Sequence, residues 1–163
     1  MRQVALVTGA SRGIGSAIAA QLAREGYSVC INYHQNRQAA QALADRLQSQ
    51  GYSAMTAAAD VAVRAEVEAM VRSVEQTLGP VTLLVNNAGI SSQEQFQDLS
   101  DAAWERYFAV NVTGARNAIL AVLPHMLSEK SGCIVNLSSI WGLRGASCEV
   151  AYACTKAALI GLT

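Results

Sequence analysis

Charged and aromatic residues are scarce in this chain of 163 residues, at 15% and 6%, and prolines number only two. The 12 Lys and Arg residues balance the 12 Asp and Glu residues, so the formal net charge is +0. This balance argues against a nucleic-acid partner, because binding to phosphates needs an excess of positive charge. Hydrophobic residues make up 52%, enough for a sizeable core. We therefore predict one domain, spanning residues 1–163.

Long apolar runs are also missing. The longest apolar helical stretch, near Ala118–Leu123, falls far short of the roughly 20 residues that cross a bilayer. The N-terminus reads as a strand rather than as a charged segment followed by an apolar one. We predict no membrane contact and a cytoplasmic location.

The chain has few residues suited to disulfides or metal binding. No two cysteines have the C-x-x-C spacing, and the two histidines stand apart from other metal-binding residue types. We predict reduced thiols and no metal site. The residues concerned are Cys30, Cys133, Cys148, Cys154, His34 and His125.

Short apolar runs alternate with helical patterns along the whole chain. This alternation is typical of an α/β, doubly wound parallel sheet with helices on both faces. The predicted strands are Val4–Val7, Ser28–Asn32, Ser53–Ala59, Thr82–Asn86 and Cys133–Leu137. The predicted helices are Ile14–Glu25, Asn36–Gln50, Ala62–Leu78 and Asp101–Leu127, with a last one that begins near Val150.

A glycine-rich turn joins the first strand to the first helix. Gly9, Gly13 and Gly15 follow the pattern G-x-x-x-G-x-G, a variant of the usual dinucleotide fingerprint. Glycines allow a tight turn and close approach of a phosphate, and the free N–H groups of the helix start then hold the anion. The alternative is an ordinary strand-to-helix turn that uses glycine for backbone reasons alone.

Tyr152 and Lys156 lie four residues apart, so on a helix both side chains share one face. A phenol normally keeps its proton until about pH 10. A lysine cation nearby favours the phenolate, so such a pair can act as an acid and base near neutral pH. The alternative is a chance pairing on a helix surface.

Taken together, these motifs resemble the short-chain dehydrogenase/reductase family. They occur in that family's order and near its intervals, and within the family the chain looks most like the bacterial 3-oxoacyl-[acyl-carrier-protein] reductases. The resemblance implies a Rossmann fold with strand order 3-2-1-4-5. The motifs are Thr8 to Gly15, Asn86-Asn87-Ala88-Gly89, Asn111, Ser139, and Tyr152 to Lys156.

Family members run about half as long again, with two further strands and a substrate lid after the helix of Tyr152. We therefore expect the 163 residues to be a fragment, incomplete at the C-terminus, and assign the activity to the intact protein. The fifth strand would then be an uncovered, hydrophobic sheet edge.

The resemblance implies four catalytic residues. Tyr152 would donate a proton to the substrate oxygen, and Lys156 would lower the pKa of that phenol and hold the nicotinamide ribose. Ser139 would bind the substrate oxygen, with Ser138 as the alternative. Asn111 would anchor a water chain to the lysine. The alternatives are a turn or helix cap for the serine and a bond to its own helix backbone for the asparagine.

We predict NADPH rather than NADH as the cofactor. The end of the second strand, Cys30–Arg37, holds no acid for a ribose 2′-hydroxyl, and Arg12 suits the 2′-phosphate of NADP. The resemblance implies that Asp60 contacts adenine, although a helix N-cap is an equal alternative, and that Asn87 braces the sheet. The predicted cofactor-binding residues are Gly9, Ser11, Arg12, Gly13, Ile14, Gly15, Asn32, Asp60, Val61, Asn87, Ala88, Gly89, Tyr152 and Lys156.

The implied reaction reduces a ketone to a secondary alcohol, with a 3-oxoacyl thioester on acyl carrier protein as the substrate. Other small alcohols, sugars or steroids are an alternative, and a nucleotide-binding fragment without turnover is another. Ser91–Gln97, Trp141–Arg144 and Cys148 are candidates for the substrate wall. Arg116 and Arg144 either meet an acidic carrier or are ordinary solvated side chains.

The resemblance also implies a homodimer or homotetramer of the full-length protein. Helices that begin near Asp101 and Val150 would pair between subunits, where small side chains allow close approach. The residues predicted at that contact are Ala115, Ala118, Ala121, Ala157 and Ala158.

Overall fold

A computed structural model describes residues 3–163 and contains a parallel sheet of five strands. The strand order is β3-β2-β1-β4-β5, and all four neighbouring pairs are parallel. The doubly wound α/β fold and its strand order are therefore confirmed. The strands are β1 (Val4–Val7), β2 (Ser28–Tyr33), β3 (Ala54–Ala58), β4 (Leu83–Asn86) and β5 (Cys133–Asn136).

Seven α-helices connect or follow these strands among the described residues. They are α1 (Gly13–Arg24), α2 (Arg37–Ser49), α3 (Arg64–Thr77), α4 (Asp101–Phe108), α5 (Gly114–Glu129), α6 (Trp141–Arg144) and α7 (Val150–Leu162). A short 3₁₀ turn covers Phe96–Asp98. Neither α6 nor this turn was predicted, because each is only three or four residues long and carries no periodic pattern.

The sheet is covered on both faces because its central strands are apolar on both sides. Val4 and Leu6 contribute to a core that includes residues of α3 and α5. Ala5 and Val7 point the other way, into a core with α1 and α2. Each fully buried Val or Leu contributes roughly 1.5–3 kcal/mol. These two cores fix the carboxyl ends of the strands, where ligands bind in such folds.

The caps of two helices differ from each other in an informative way. Asn36 is the N-cap of α2, and its side chain accepts a hydrogen bond from the Ala39 N–H at 3.2 Å. The alternative in which Asp60 is a helix N-cap is wrong, since α3 begins at Arg64 with Val63 as its N-cap. Asp60 instead closes a turn ahead of the helix, accepting from the Ala62 N–H at 3.0 Å.

The helix predicted over Asp101–Leu127 is three stretches in the structure. The α-helical segments α4 and α5 are joined by a π-helical turn over Ala109–Thr113. The single-helix prediction therefore needs correction, because a π turn inserts an extra residue without breaking the apolar pattern on either side. Asn111 lies within this turn.

The fifth strand lies at an edge of the described sheet. Val135 is 42% exposed there, whereas all six residues of β2 are buried. The position of Ala118 corrects the assembly prediction, since this residue is 0% exposed inside the core against α3 and cannot meet another subunit. Ala115 is likewise buried within the chain. None of the helices described is both long and apolar enough to cross a bilayer.

Candidate active site

The glycine-rich turn is shaped by a contact between two loops at the carboxyl ends of the strands. Gly9 adopts a φ of +62°, and a Cβ there would lie 2.8 Å from the Cα of Ala88. The Gly9 N–H donates to Oδ1 of Asn32 at 3.0 Å. Only glycine satisfies both the positive φ and the close approach.

Asn32 and Asn87 hold this turn in place with their amide groups. Asn32 is almost fully buried and donates to the carbonyls of Ala57 at 3.2 Å and Ala59 at 3.3 Å, on the β3 side. Asn87 donates to the carbonyls of Thr8 at 2.9 Å and Gly9 at 3.1 Å. Both amide groups thus bond to the backbone of neighbouring segments. Both residues also line the cavity, and a direct contact between either of them and a cofactor stays a prediction.

The first turn of α1 is open to a ligand. No side chain caps it, and its N-cap residue, Arg12, is extended. The unpaired N–H groups and the helix dipole favour an anion there. Ile14 is 68% exposed at the same place, an apolar side chain that a bound ligand would cover.

These segments surround a cavity of about 660 Å³, a volume within the roughly 300–1,000 Å³ of small-molecule sites. It is lined by the predicted residues Gly9, Ser11, Arg12, Gly13, Ile14, Gly15, Asn32, Asp60, Val61, Asn87, Ala88 and Gly89. Its other lining residues were not predicted: His34, Gln35, Asn36, Ala59, Ile90, Arg106 and Val110. The loop after β2 has no charge pattern that marks it as a cavity wall, and nothing in the sequence pairs Arg106 with Asp60, which is 46 positions away.

Lys156 is a buried cation beside Tyr152. It is 5% exposed, and its Nζ donates to the Leu137 carbonyl at 2.7 Å. The same Nζ lies 5.6 Å from the centre of the Tyr152 ring. Burial lowers the pKa of Lys156 below its ordinary value. A lysine that is easier to deprotonate than usual, next to a phenol, is suited to proton exchange.

Asn111, in the π-helical turn between α4 and α5, is hydrogen-bonded to the loop that follows β4. Its Oδ1 accepts from the Ile90 N–H at 2.8 Å, and its Nδ2 donates to the Ile90 carbonyl at 3.0 Å and to Thr155 Oγ1 at 3.0 Å. The alternative in which Asn111 bonds its own helix backbone is therefore wrong. A Cβ on Gly89 would lie 3.3 Å from Asn111 Oδ1 and 3.7 Å from Lys156 Nζ. Gly89 lines the cavity, so Asn111 and Lys156 lie just behind its wall.

The two serines after β5 make different bonds. Ser138 Oγ donates its proton to the Lys156 carbonyl at 2.6 Å. Ser139 Oγ accepts from the Trp141 N–H at 3.2 Å, so its own proton stays available to another acceptor. Ser139 thus combines the predicted capping interaction with a free donor.

A narrow crevice of about 10 Å³, room for about one water molecule, has Tyr152 in its lining. Ser92, Glu94, Phe96 and Cys148 also line it; they belong to two of the three segments predicted for the substrate wall, a role that stays a prediction. Trp141–Arg144 do not line it and form α6 instead. No cluster of three or more His, Cys, Asp or Glu side chains suited to a metal ion occurs within residues 3–163.

Comparison with known proteins supports the family resemblance that the sequence motifs indicate. A family profile described as short chain dehydrogenase matches residues 3–163. The chain is 42% identical over its whole length to the 3-oxoacyl-[acyl-carrier-protein] reductase FabG of Staphylococcus epidermidis, covering 67% of that protein. It is 36% identical over 99% of its length to Nodulation protein G of Azospirillum brasilense, covering 66%.

A solved structure is also similar. It is the crystal structure of a gluconate 5-dehydrogenase from Burkholderia cenocepacia J2315 in complex with NADP and tartrate. The TM-score is 0.92 at 35% identity, over 99% of this chain and 63% of that one. The chain thus spans about two thirds of the length of these relatives. On the profile match, the identities and the shared fold, it belongs to the short-chain dehydrogenase family.

Proposed function

We propose that this chain is the larger part of an NADPH-dependent oxidoreductase that reduces a ketone to a secondary alcohol. The observation that carries the proposal is the meeting of Lys156 and Asn111 with Gly89, a residue of the cavity wall. The same lysine lies beside the Tyr152 phenol. Neither Tyr152 nor Lys156 is among the residues that line the cavity, but the acid/base pair lies directly behind Gly89, which does.

Two features of the cavity suit a dinucleotide, one for its diphosphate and one for its adenosine 2′-phosphate. The uncapped start of α1 provides N–H groups for the diphosphate. Arg12, which lines the cavity, provides a cation for the 2′-phosphate of NADP. The similar gluconate 5-dehydrogenase was solved with NADP, which supports the choice of cofactor. When bound, the reduced nicotinamide supplies a hydride.

The residues of the chain handle the proton and the developing negative charge. Tyr152 would donate its phenolic proton to the carbonyl oxygen of the substrate as negative charge grows there. Lys156, whose Nζ lies 5.6 Å from the centre of the Tyr152 ring, would stabilise the phenolate that remains after proton transfer and hold the ribose of the nicotinamide. Ser139 would donate a hydrogen bond to the same oxygen. Asn111, fixed by Ile90, would hold water next to the lysine.

The proposed substrate is a 3-oxoacyl thioester on acyl carrier protein. Support comes from the reductases of Staphylococcus epidermidis and Synechocystis, at 42% and 38% identity. A second candidate is a keto acid derived from a sugar, favoured by the gluconate 5-dehydrogenase. Arg116 and Arg144, both exposed, are the proposed contacts with the acidic carrier.

We further propose a homodimer or homotetramer in the cytoplasm for the full-length protein. The subunit contact would use the surfaces of α5 and α7 that face away from the core. Ala157 is exposed there, as are Leu120 and Ile160. Sedimentation of the full-length protein as a stable monomer would contradict this assembly.

The catalytic proposal is tested with Tyr152→Phe, which keeps the ring and removes only the acid. In the full-length protein, turnover of a 3-oxoacyl thioester, read from NADPH absorbance, should fall by roughly 10² or more, while NADPH binding is retained. Tyr52→Phe, half-buried against the α1 and α2 core and away from the cavity, is the matched control.

Three outcomes separate the alternatives. Near-normal reduction by the Tyr152→Phe variant would overturn the mechanism. Reduction of sugar-derived keto acids but not of acyl thioesters would favour the second substrate class. Binding of NADPH without reduction of any ketone in a panel would leave only a nucleotide-binding module.

A further inference from the structure

A charged cluster lies at one end of the cavity, where three segments of the chain meet. Asp60 follows β3, His34 follows β2, and Arg106 lies on α4. Arg106 Nη2 donates to Asp60 Oδ2 at 3.0 Å, and His34 Nε2 is 3.8 Å from the same oxygen. All three residues line the cavity.

The position of His34, just after β2, places this cluster near the expected site of the adenosine ribose. In dinucleotide-binding folds, the residues just after β2 meet the ribose 2′ position of the adenosine, where an acid favours NAD and a cation favours NADP. The stretch after β2 contains no acid. However, Tyr33 of β2 pairs in register with Ala58 of β3, so the segment after β3 brings the Asp60 carboxylate next to His34.

The Asp60 carboxylate is charged at neutral pH and partly shielded from water. Its side chain is 13% exposed. Burial acts to raise its pKa, but the Ala62 N–H and the Arg106 guanidinium together outweigh burial, so the pKa lies below the ordinary value. Glu66 adds a second negative charge nearby, because its Oε2 accepts the Asp60 N–H at 2.7 Å.

Unopposed, these acids would repel a 2′-phosphate and favour the plain hydroxyl of NAD. We propose that Arg106 determines the cofactor preference indirectly: by pairing with Asp60, it cancels a negative charge at the adenosine end of the cavity and so admits the phosphorylated cofactor. Arg106 is thus a positioning residue, and the proposal rests on the proposed function as an NADP-dependent protein.

The decisive measurement is the ratio of the dissociation constants of NAD⁺ and NADP⁺, obtained by isothermal titration of the full-length protein. Arg106→Leu should weaken NADP⁺ binding by about tenfold, since it leaves a bare charge near a doubly charged phosphate. NAD⁺ binding should change by less than about threefold, because NAD⁺ lacks that phosphate. The ratio therefore falls.

The double variant Asp60→Asn/Arg106→Leu separates this mechanism from direct contact. It removes both charges, so the ratio should return to within about threefold of wild type, as expected for two coupled sites. Arg12→Ala, by contrast, should lower the ratio whether or not Asp60 is present, because Arg12 is assigned to the phosphate itself. Arg106→Lys, which keeps the charge, should preserve most of the preference.

Two further controls protect the interpretation. Arg72→Leu removes one positive charge from the exposed surface of α3, outside the cavity lining, and should leave the ratio unchanged. Circular dichroism on heating should show that Arg106→Leu is folded, and Arg106→Gln, which also removes the charge, replaces it if it is not. An unchanged ratio in Arg106→Leu, or a low ratio that Asp60→Asn does not restore, overturns the inference. A wild-type chain that binds neither dinucleotide overturns the proposed function itself.

Discussion

The sheet half built on β1, β2 and β4 and the half built on β5 and α7 hold their parts of the site by different means. Every residue of β2 is buried, and the glycine-rich turn grows out of that apolar core. β5 alternates between exposed and half-buried residues. There, polar bonds such as Lys156 Nζ to the Leu137 carbonyl position the side chains. Packing therefore dominates in the binding half, where the Asn32 and Asn87 amides add hydrogen bonds, and polar bonds have a larger share next to β5. Each half should respond to a different kind of substitution.

The largest expected effect comes from overfilling the packed half. A Cβ on Gly15 would overlap the Asn87 side chain and would lie 2.8 Å from the Gly9 carbonyl oxygen. Gly15→Ala should therefore cost roughly 1–3 kcal/mol in the free energy of unfolding and should also abolish dinucleotide binding. Urea unfolding and isothermal titration measure the two effects.

Gly161→Ala is the matched control in the other half. Gly161 lies in α7, and a Cβ there would meet nothing within 4 Å. Because alanine is a better helix former than glycine, this change should be neutral or stabilising by up to about 1 kcal/mol. Equal destabilisation by both variants would contradict the difference between the halves.

A smaller effect of opposite sign is expected at Lys156. Its lowered pKa means that the buried cation is less stable in the folded chain than in water. Lys156→Met should thus raise the free energy of unfolding at pH 7, by roughly 0.5–2 kcal/mol, although it removes a residue of the proposed mechanism. Equilibrium unfolding in urea measures this change.

The stability difference between Lys156→Met and the wild type should depend on pH, and its direction follows from the lowered pKa of Lys156. Below the folded-state pKa, both states hold the proton and the full penalty of the buried cation applies. Between that pKa and the ordinary value of 10.5, the unfolded chain binds more protons than the folded one, so wild-type stability rises with pH relative to the Met variant. The gap between them should narrow from pH 7 towards pH 10. A gap that widens would show that the charged lysine stabilises the fold.

The smallest effect on stability is expected at the thiols. Burial raises the pKa of Cys30, in β2, to about 12, whereas Cys133, Cys148 and Cys154 are exposed. A thiol reagent at pH 8 should label three cysteines quickly and Cys30 only in denaturant. Serine at each of the exposed positions should change stability by less than about 0.5 kcal/mol. Fast labelling of Cys30 would contradict the packing of the β2 half.

The sequence predicted features that depend on neighbouring residues better than it predicted contacts between distant segments. Val4–Val7 is a strand with the bounds predicted, because a short apolar run directly before a glycine-rich turn has few alternatives. The helix predicted over Asn36–Gln50 is α2, Arg37–Ser49, with Asn36 as its N-cap and Gln50 as its C-cap. Such features depend on residues close in the chain, and local pattern is what a sequence displays.

The errors share a different physical origin. Asp60 was a reasonable N-cap from local sequence, yet Arg106, from 46 residues away, pairs with it in the turn ahead of the helix. Ala118 looked suited to a subunit contact because it is small, but small size equally suits packing against α3. The cluster of Asp60, Arg106 and His34 was not predicted, because pairs of single charges far apart in the chain produce no repeating pattern in the sequence.

The π-helical turn at Ala109–Thr113 has a consequence for comparing this chain with others. A residue added within a helix advances everything after it by about 100° around the axis. Two homologues aligned without a gap here, one with the turn and one with an unbroken α-helix, would agree in side-chain direction before Asn111 and disagree after it. A single gap placed in this stretch restores the agreement, because the π turn absorbs the extra residue and the same face of α5 packs on the core in both homologues.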